Sequence, residues 1–378
     1  MLGQGSFGSV ALVADPAGVQ TAVKRVPRAS LNKRERQLLI NERRALSDCR
    51  HPFVSSLLGT LRLREALYLQ LDYCQATLYD VLERQGPIQA DHAALLAGCV
   101  ASALDHVHEC GWVHRDLNSE NVMFTSSRHL KLIDFGLATT LPPGPPAFQK
   151  AGARGIPDHV APELLSGGLF GRALDWWSFG CLLYAMLIGH TPWVLDDHAR
   201  REPADCRDDA GWDEVYVDRV LCFSQVPYPA SLEVQLSDAA RALIASLLVR
   251  DPSLRLGHDG GAQVFAHAFF SRVAWAELRK GTLAMPHVCL LPPPPAYSTA
   301  AATPNGASET VVEAAPLSRT QSSLRLSRRS SMSSELSAES SEDEGEDREA
   351  GAWACFFAGS SLDQGSEEPG EDAWDRYF

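Results

Sequence analysis

His114-Arg115-Asp116-Leu117-Asn118-Ser119-Glu120-Asn121, followed by Asp134-Phe135-Gly136, is the stretch on which the fold of this chain turns. Asp116 can orient or deprotonate a hydroxyl group. Asn121, five residues on, can hold a divalent metal. Asp134 offers a second metal-binding group at the end of the strand-like run Leu130-Lys131-Leu132-Ile133. Phosphoryl transfer asks for such a set, because the polypeptide there positions a nucleophile and neutralises charge while a metal ion supplies most of the electrostatic stabilisation.

Working outward, Gly3-Gln4-Gly5-Ser6-Phe7-Gly8-Ser9-Val10 opens the chain. Its glycines let a turn approach phosphates closely enough for backbone N–H groups to bond them. Alone, such a loop is more readily an ordinary turn. Val10 and the downstream Ala22-Val23-Lys24 favour the nucleotide, since Lys24 is one of five lysines in the whole chain. Two apolar runs, 10–14 and 21–24, flank Asp15-Pro16-Ala17-Gly18 and predict a β-hairpin. Residues 33–46 have helical spacing, with Leu38, Leu39, Ala45 and Leu46 on one side and charges on the other. Glu42 and Glu35 both lie on this helix, and either could pair with Lys24.

Composition narrows the field. A hydrophobic fraction of 45% over 378 residues is enough for a large core. The net charge of −13 argues against a general nucleic-acid binder. Nine scattered Cys without a C-x-x-C pair point to reduced thiols and an intracellular, most simply cytoplasmic, setting. No apolar run reaches bilayer length, so no membrane segment is expected. Up to residue 72 the pattern is mainly β-like; from 73 to 270 it is mainly helical, with apolar stripes at 93–107, 176–188 and 239–248. Residues 196–213 form an acidic loop insertion. Beyond 291 the chain turns to Ser, Thr, Ala and Pro, a composition of disorder, and aromatics return at 353–357 and 374–378.

Ala161-Pro162-Glu163, Asp175-Trp176-Trp177-Ser178-Phe179-Gly180 and Leu254-Arg255-Leu256-Gly257 follow in order, and Glu163 is expected to pair with Arg255 in a buried ion pair. These motifs together resemble the protein kinase superfamily over residues 1–270. Asp175-Trp176-Trp177-Ser178, Arg255-Leu256-Gly257 and His267-Ala268-Phe269-Phe270 resemble the AGC group within it. Residues 275–283 and the terminal Trp374-Asp375-x-x-Phe378 look like the C-terminal extension of cGMP-dependent protein kinases. The resemblance implies an α+β, two-lobed fold: a small β-rich N-lobe at 1–72, lacking the start of its first strand, and a larger α-helical C-lobe at 73–270. It also implies an AGC-type extension beginning at 271–297, a disordered Ser/acidic-rich insertion at 298–352, and a tail end at 353–378.

By the same resemblance the chain is an ATP-dependent serine/threonine kinase acting on protein substrates, with Mg-ATP between the lobes. Asp116 is then the base, Asn121 and Asp134 hold Mg²⁺, and Lys24 pairs with Glu42, because Asn41-Glu42-Arg43-Arg44-Ala45-Leu46 is similar to the family's helix pattern. Nucleotide contacts fall on Gly3, Gly5, Ser6, Phe7, Gly8, Val10, Ala22, Lys24, Leu71, Tyr73 and Met123. No cyclic-nucleotide-binding module precedes the glycine loop here, so a regulatory module of that kind is separate or missing.

Four departures bear on activity. Asn118 stands where the family usually has a catalytic Lys, a change expected to cost about 10²–10³ in rate by analogy with losing one transition-state donor. Ile156 stands where a Thr usually bonds both that Lys and the base. Gly152 stands at the usual phosphorylation site, so Arg115 is left without a phosphate partner. Near Thr77 the acidic residue that binds ribose in relatives is absent. Asn118 and Ile156 together set up the alternative expectation, a pseudokinase scaffold with weak or no phosphotransfer. In the tail, Arg328-Arg329-Ser330-Ser331 fits an Arg-Arg-x-Ser acceptor pattern, which predicts phosphorylation at Ser331.

Overall fold

The computed structural model describes residues 2–4, 8–141, 149–150, 159–167, 169–193, 217–229, 236–281 and 378. Gly5, Ser6, Phe7, Gly152, Ile156, the expected insertion at 196–213 and the tail acceptor Ser331 lie outside them. The chain divides into two compact units. Among the described residues, one holds those up to Asn32, Leu58–Leu71 and Phe378; the other holds Lys33–Leu57 and those from Asp72 to Gly281.

The first unit is a sheet in the order β1-β2-β3-β5-β4, formed by β1 (Gly3–Gln4), β2 (Ser9–Ala14), β3 (Gln20–Pro27), β4 (Leu57–Arg62) and β5 (Ala66–Asp72). The expected hairpin joins β2 to β3. Asp15 closes its turn: Oδ1 accepts from the N–H groups of Ala17 and Val19, and Gly18 takes a positive φ of 83°. Antiparallel register sets Val10 opposite Lys24 and Leu12 opposite Ala22. Period-two alternation then puts Val10, Ala22 and Lys24 on one face. Val23 and Val13 take the other face, in an apolar cluster with Ala66 and Tyr68. Gly8 is obligatory, because a Cβ there would lie 1.9 Å from the Arg25 carbonyl oxygen.

The second unit is mainly helical. It contains α1 (Lys33–Asp48), α2 (Leu78–Gln85), α3 (Ala90–Glu109), α4 (Pro162–Leu165), α5 (Ala173–Ile188), α6 (217–222), α7 (Asp238–Leu247), α8 (Ala262–Phe265) and α9 (Trp275–Arg279). Short strands connect them: β6 (Ala76–Thr77), β7 (Trp112–Val113), β8 (Val122–Phe124), β9 (Leu130–Leu132), β10 (Thr139–Thr140), β11 (Gln149–Lys150) and β12 (Leu169–Phe170). Every residue of α5 is buried, so the apolar stripe expected at 176–188 is instead a helix buried on every side. It packs against α3 and α7, and Gly180 allows the second approach, since a Cβ there would meet Leu247 and Leu248 at 2.9 Å. Residues 33–57 cluster with this helical unit, and Asn41 on α1 donates to the Ala138 carbonyl at 3.3 Å. A sheet-rich unit and a mainly helical one make up the expected α+β architecture. Among the described residues no helix is long and apolar enough to cross a membrane.

Candidate active site

The loop at 114–121 is shaped by one carboxylate beneath it. Asp175, fully buried in the first turn of α5, accepts the backbone N–H groups of His114 and Arg115, each at 2.8 Å, and Nε2 of His108 at 2.8 Å. Burial pushes the Asp175 pKa up, but the His108 hydrogen bond, the nearby charges and the Arg115 amide outweigh it and hold the group below its usual range. Arg115 sits at φ 72°, a left-handed conformation costing a bulky residue about 1–2 kcal/mol, and the Asp175 bonds offset that strain. Because a carboxylate only accepts, His108 must carry its hydrogen on Nε2.

His114 is fully buried and holds the loop from inside. Its Nδ1 accepts from the Asp116 N–H at 3.3 Å, and its Nε2 donates to the Ile133 carbonyl at 3.0 Å. The Phe135 ring meets its edge at a centroid distance of 4.7 Å. One imidazole thus couples the loop to Ile133, the residue before Asp134.

The Asp116 carboxylate is 27% exposed and, among the described residues, receives three side-chain donors. Asn118 Nδ2 reaches Oδ1 at 3.2 Å, His159 Nε2 reaches Oδ1 at 3.3 Å, and Asn121 Nδ2 reaches Oδ2 at 2.9 Å and the Asp116 carbonyl at 2.7 Å. Asn118 also accepts, through Oδ1, the N–H groups of Glu120 (2.8 Å) and Asn121 (3.0 Å). Where a lysine is usual in the family, this amide donates to the carboxylate and accepts from the backbone at once. That dual role, and the approach of His159, were not legible in the sequence. A histidine three residues before Pro162 carried no signal of where its ring would fall.

Pairing of β8 with β9 places the metal candidates side by side. The ladder sets Val122 opposite Leu132, and the Ile133 N–H donates to the Asn121 carbonyl at 2.9 Å, so Asp134 follows Asn121's immediate neighbour. With the NH₂ of Asn121 turned to Asp116, the amide oxygen is the atom of that side chain able to take a cation. Asp134, exposed and at φ 56°, accepts from the Gly136 N–H at 3.0 Å through Oδ1. Among the described residues no cluster of three or more His, Cys, Asp or Glu could hold a metal. Met123 lies in the middle of β8, opposite Thr77 and Lys131.

Of the remaining candidates, Gly3 pairs with Val10 across β1 and β2, Lys24 and Ala22 share a face of β3, and Leu71 lies in β5, all in the first unit. Tyr73 and Glu42 belong to the second unit. Glu42 is only 2% exposed, whereas Glu35 is half-buried, and a carboxylate is seldom buried to that extent without a partner. The nearest acid to Thr77 is Asp80, and it is committed to a capping box: Asp80 N–H bonds Thr77 Oγ1, and Thr77 N–H bonds Asp80 Oδ2, both at 2.9 Å.

Below the loop the expected Glu163–Arg255 pair forms in two parallel bonds of 2.7 and 2.8 Å. Arg255 is 1% exposed, and it also donates to the carbonyls of Ala173, Val249 and Arg250. Nearby, the Arg115 guanidinium stands over the Phe170 ring.

Comparison with known proteins gives a single picture. The sequence model of the protein kinase domain matches residues 1–270. RAC-beta serine/threonine-protein kinase B of Xenopus laevis is 30% identical over 292 residues, covering 76% of this chain and 56% of the relative. RAC-beta serine/threonine-protein kinase of Homo sapiens shows the same identity and coverage. The rat protein of that name also matches at 30% identity. The chain thus spans about half the length of the curated relatives it matches.

Proposed function

The chain belongs to the protein kinase domain family, and from that premise we propose that it transfers the γ-phosphoryl group of Mg-ATP to Ser or Thr of protein substrates. The observation that carries the reading is the convergence of Asp116, Asn121 and Asp134 at the mouth of the β8–β9 ladder, with Asp116 partly exposed and oriented by its neighbours. Asp116 orients the acceptor hydroxyl and takes up its proton. Asn121 and Asp134 fit a Mg²⁺ site, since that ion typically takes one or two carboxylates and completes its shell with water and nucleotide phosphates. ATP bound there would supply the phosphoryl group, and its Mg²⁺ would neutralise the charge that develops on it.

In this reading Lys24 draws the phosphates and Glu42 aligns it, with Gly3, Gly5, Ser6, Phe7 and Gly8 over the phosphates and Val10, Ala22, Leu71, Tyr73 and Met123 around the base. The domain division at 72 and 270 is retained, as is a cytoplasmic setting. The RAC-beta relatives are consistent with the AGC group. Likeness to cGMP-dependent kinases rests on residues 275–283 and the terminal aromatics alone.

One observation favours a second reading, a scaffold without transfer: Asn118 brings no cation to the loop. The test is phosphate transfer from Mg-ATP to an Arg-rich Ser peptide, with Asp116→Asn as control. Transfer that disappears in the variant upholds the kinase. Nucleotide binding without transfer would make the scaffold the correct reading.

A further inference from the structure

We propose that His159 is a positioning residue for phosphoryl transfer, selecting which oxygen of Asp116 meets the acceptor hydroxyl; this rests on the reading of Asp116 as the base. A carboxylate offers about four lone-pair positions. Among the described residues, Oδ1 receives two donors, Asn118 Nδ2 and His159 Nε2, and Oδ2 receives one, Asn121 Nδ2. Oδ1 is therefore filled, and Oδ2 has a position left for an incoming hydroxyl. Removing the His159 donor would make the two oxygens equivalent in donor count and release the carboxylate to rotate.

His159 differs in kind from the other two donors. Asn118 and Asn121 lie in the same loop as Asp116 and move with it. His159 is 43 residues away in sequence, just ahead of α4, and its side chain is 9% exposed. Its carbonyl accepts the Ser178 hydroxyl of α5 at 3.1 Å. α5 also holds Asp175, the anchor of His114 and Arg115. The ring therefore references the carboxylate to the same buried helix that sets the loop's backbone, fixing both ends of the Asp116 side chain to one frame. The 3.3 Å separation is long for a charge-assisted bond and is of the kind that shortens when substrate closes the site.

Two variants separate donor from bulk. His159→Phe keeps the ring and loses the donor, and His159→Gln keeps a donor of similar reach. The expected result is a kcat roughly ten- to a hundredfold lower in His159→Phe, the scale of a misplaced reacting group. KM for ATP and peptide should stay unchanged, and His159→Gln should recover most of the rate. Wild-type kcat in His159→Phe, or an equal fall in both variants, would overturn the proposal. If the wild type transfers no phosphate, the kinase reading fails by itself, and NMR titration of the His159 ring decides the coupling. A midpoint lower in Asp116→Asn than in wild type upholds it; an unchanged midpoint rejects it.

Discussion

The Arg115 guanidinium lies 4.8 Å from the centre of the Phe170 ring. The sequence led us to expect an arginine without a phosphate partner; the structure gives it an aromatic face and the Leu137 carbonyl at 3.4 Å. Phe170 is 1% exposed, so the contact is desolvated. Phe170→Leu should cost about 2 kcal/mol in a urea melt, more than its lost area alone, by removing the ring quadrupole beneath the cation. Gly152 has no hydroxyl to carry a phosphate, so phosphorylation at that position should not switch transfer.

Glu163→Gln should be among the most destabilising single changes. It leaves a buried guanidinium without its counter-charge, a loss of about 3–5 kcal/mol. The urea midpoint should fall with little change in slope. Adding Arg255→Met should restore only part of this, because the carbonyls of Ala173, Val249 and Arg250 then lose a donor as well.

Asn118 should tolerate neither a smaller nor a charged replacement. Asn118→Ala strips a donor from Asp116 and an acceptor from two backbone amides, and should lower kcat by roughly 10–100-fold. Asn118→Asp keeps the acceptor but sets a second carboxylate beside the base. A like charge favours the protonated form, so the acid limb of the kcat/KM profile should move to higher pH. Steady-state kinetics across pH distinguish the two variants.

His51 makes the helical unit sensitive to mild acid. Burial lowers its pKa to about 4, helped by the positive charges of His106, Lys131 and Arg279. Its Nδ1 accepts from the Phe53 N–H at 3.3 Å, and protonation would break that bond. Between about pH 4 and the ordinary histidine value of about 6.5, the unfolded chain binds the proton and the folded one does not. Stability from this group is thus fully present above about pH 6.5 and is lost as pH falls toward 4, by roughly 1–3 kcal/mol. His51→Gln should flatten that slope, as followed by thermal melts between those limits.

What could be read from the chain was what local chemistry writes into it. The charged helix at 33–46 is α1, the apolar run at 176–188 is the wholly buried α5, and Asp15-Pro16-Ala17-Gly18 is the hairpin turn. Asp116, Asn121 and Asp134 were legible in the sequence because their spacing is nearly local: Asp116 is bonded directly to Asn121, and Asp134 follows the residue whose N–H meets the Asn121 carbonyl. The partners that orient them were not, since they come from distant segments. Nothing near Asp175 in sequence says that its carboxylate will bind the amides of residues sixty positions earlier. Phe170 and His159 likewise owe their places to tertiary packing, which carries no periodic signature. Asn118 brings no cation, and its bonds to Asp116 and to the amides of Glu120 and Asn121 are a further role that its sequence position did not announce.

The Asp175 clamp also sets how the loop breathes. Amides held by a carboxylate inside a fully buried helix cannot exchange by local fraying; they must wait for the helix itself to open. The protons of His114 and Arg115 should therefore exchange with deuterium on the slow timescale of α5, while the amide of the exposed Glu120, bonded to the Asn118 side chain within the loop, exchanges early. Loop and core would then share one clock, and any change that loosens α5 would be felt first at Asp116.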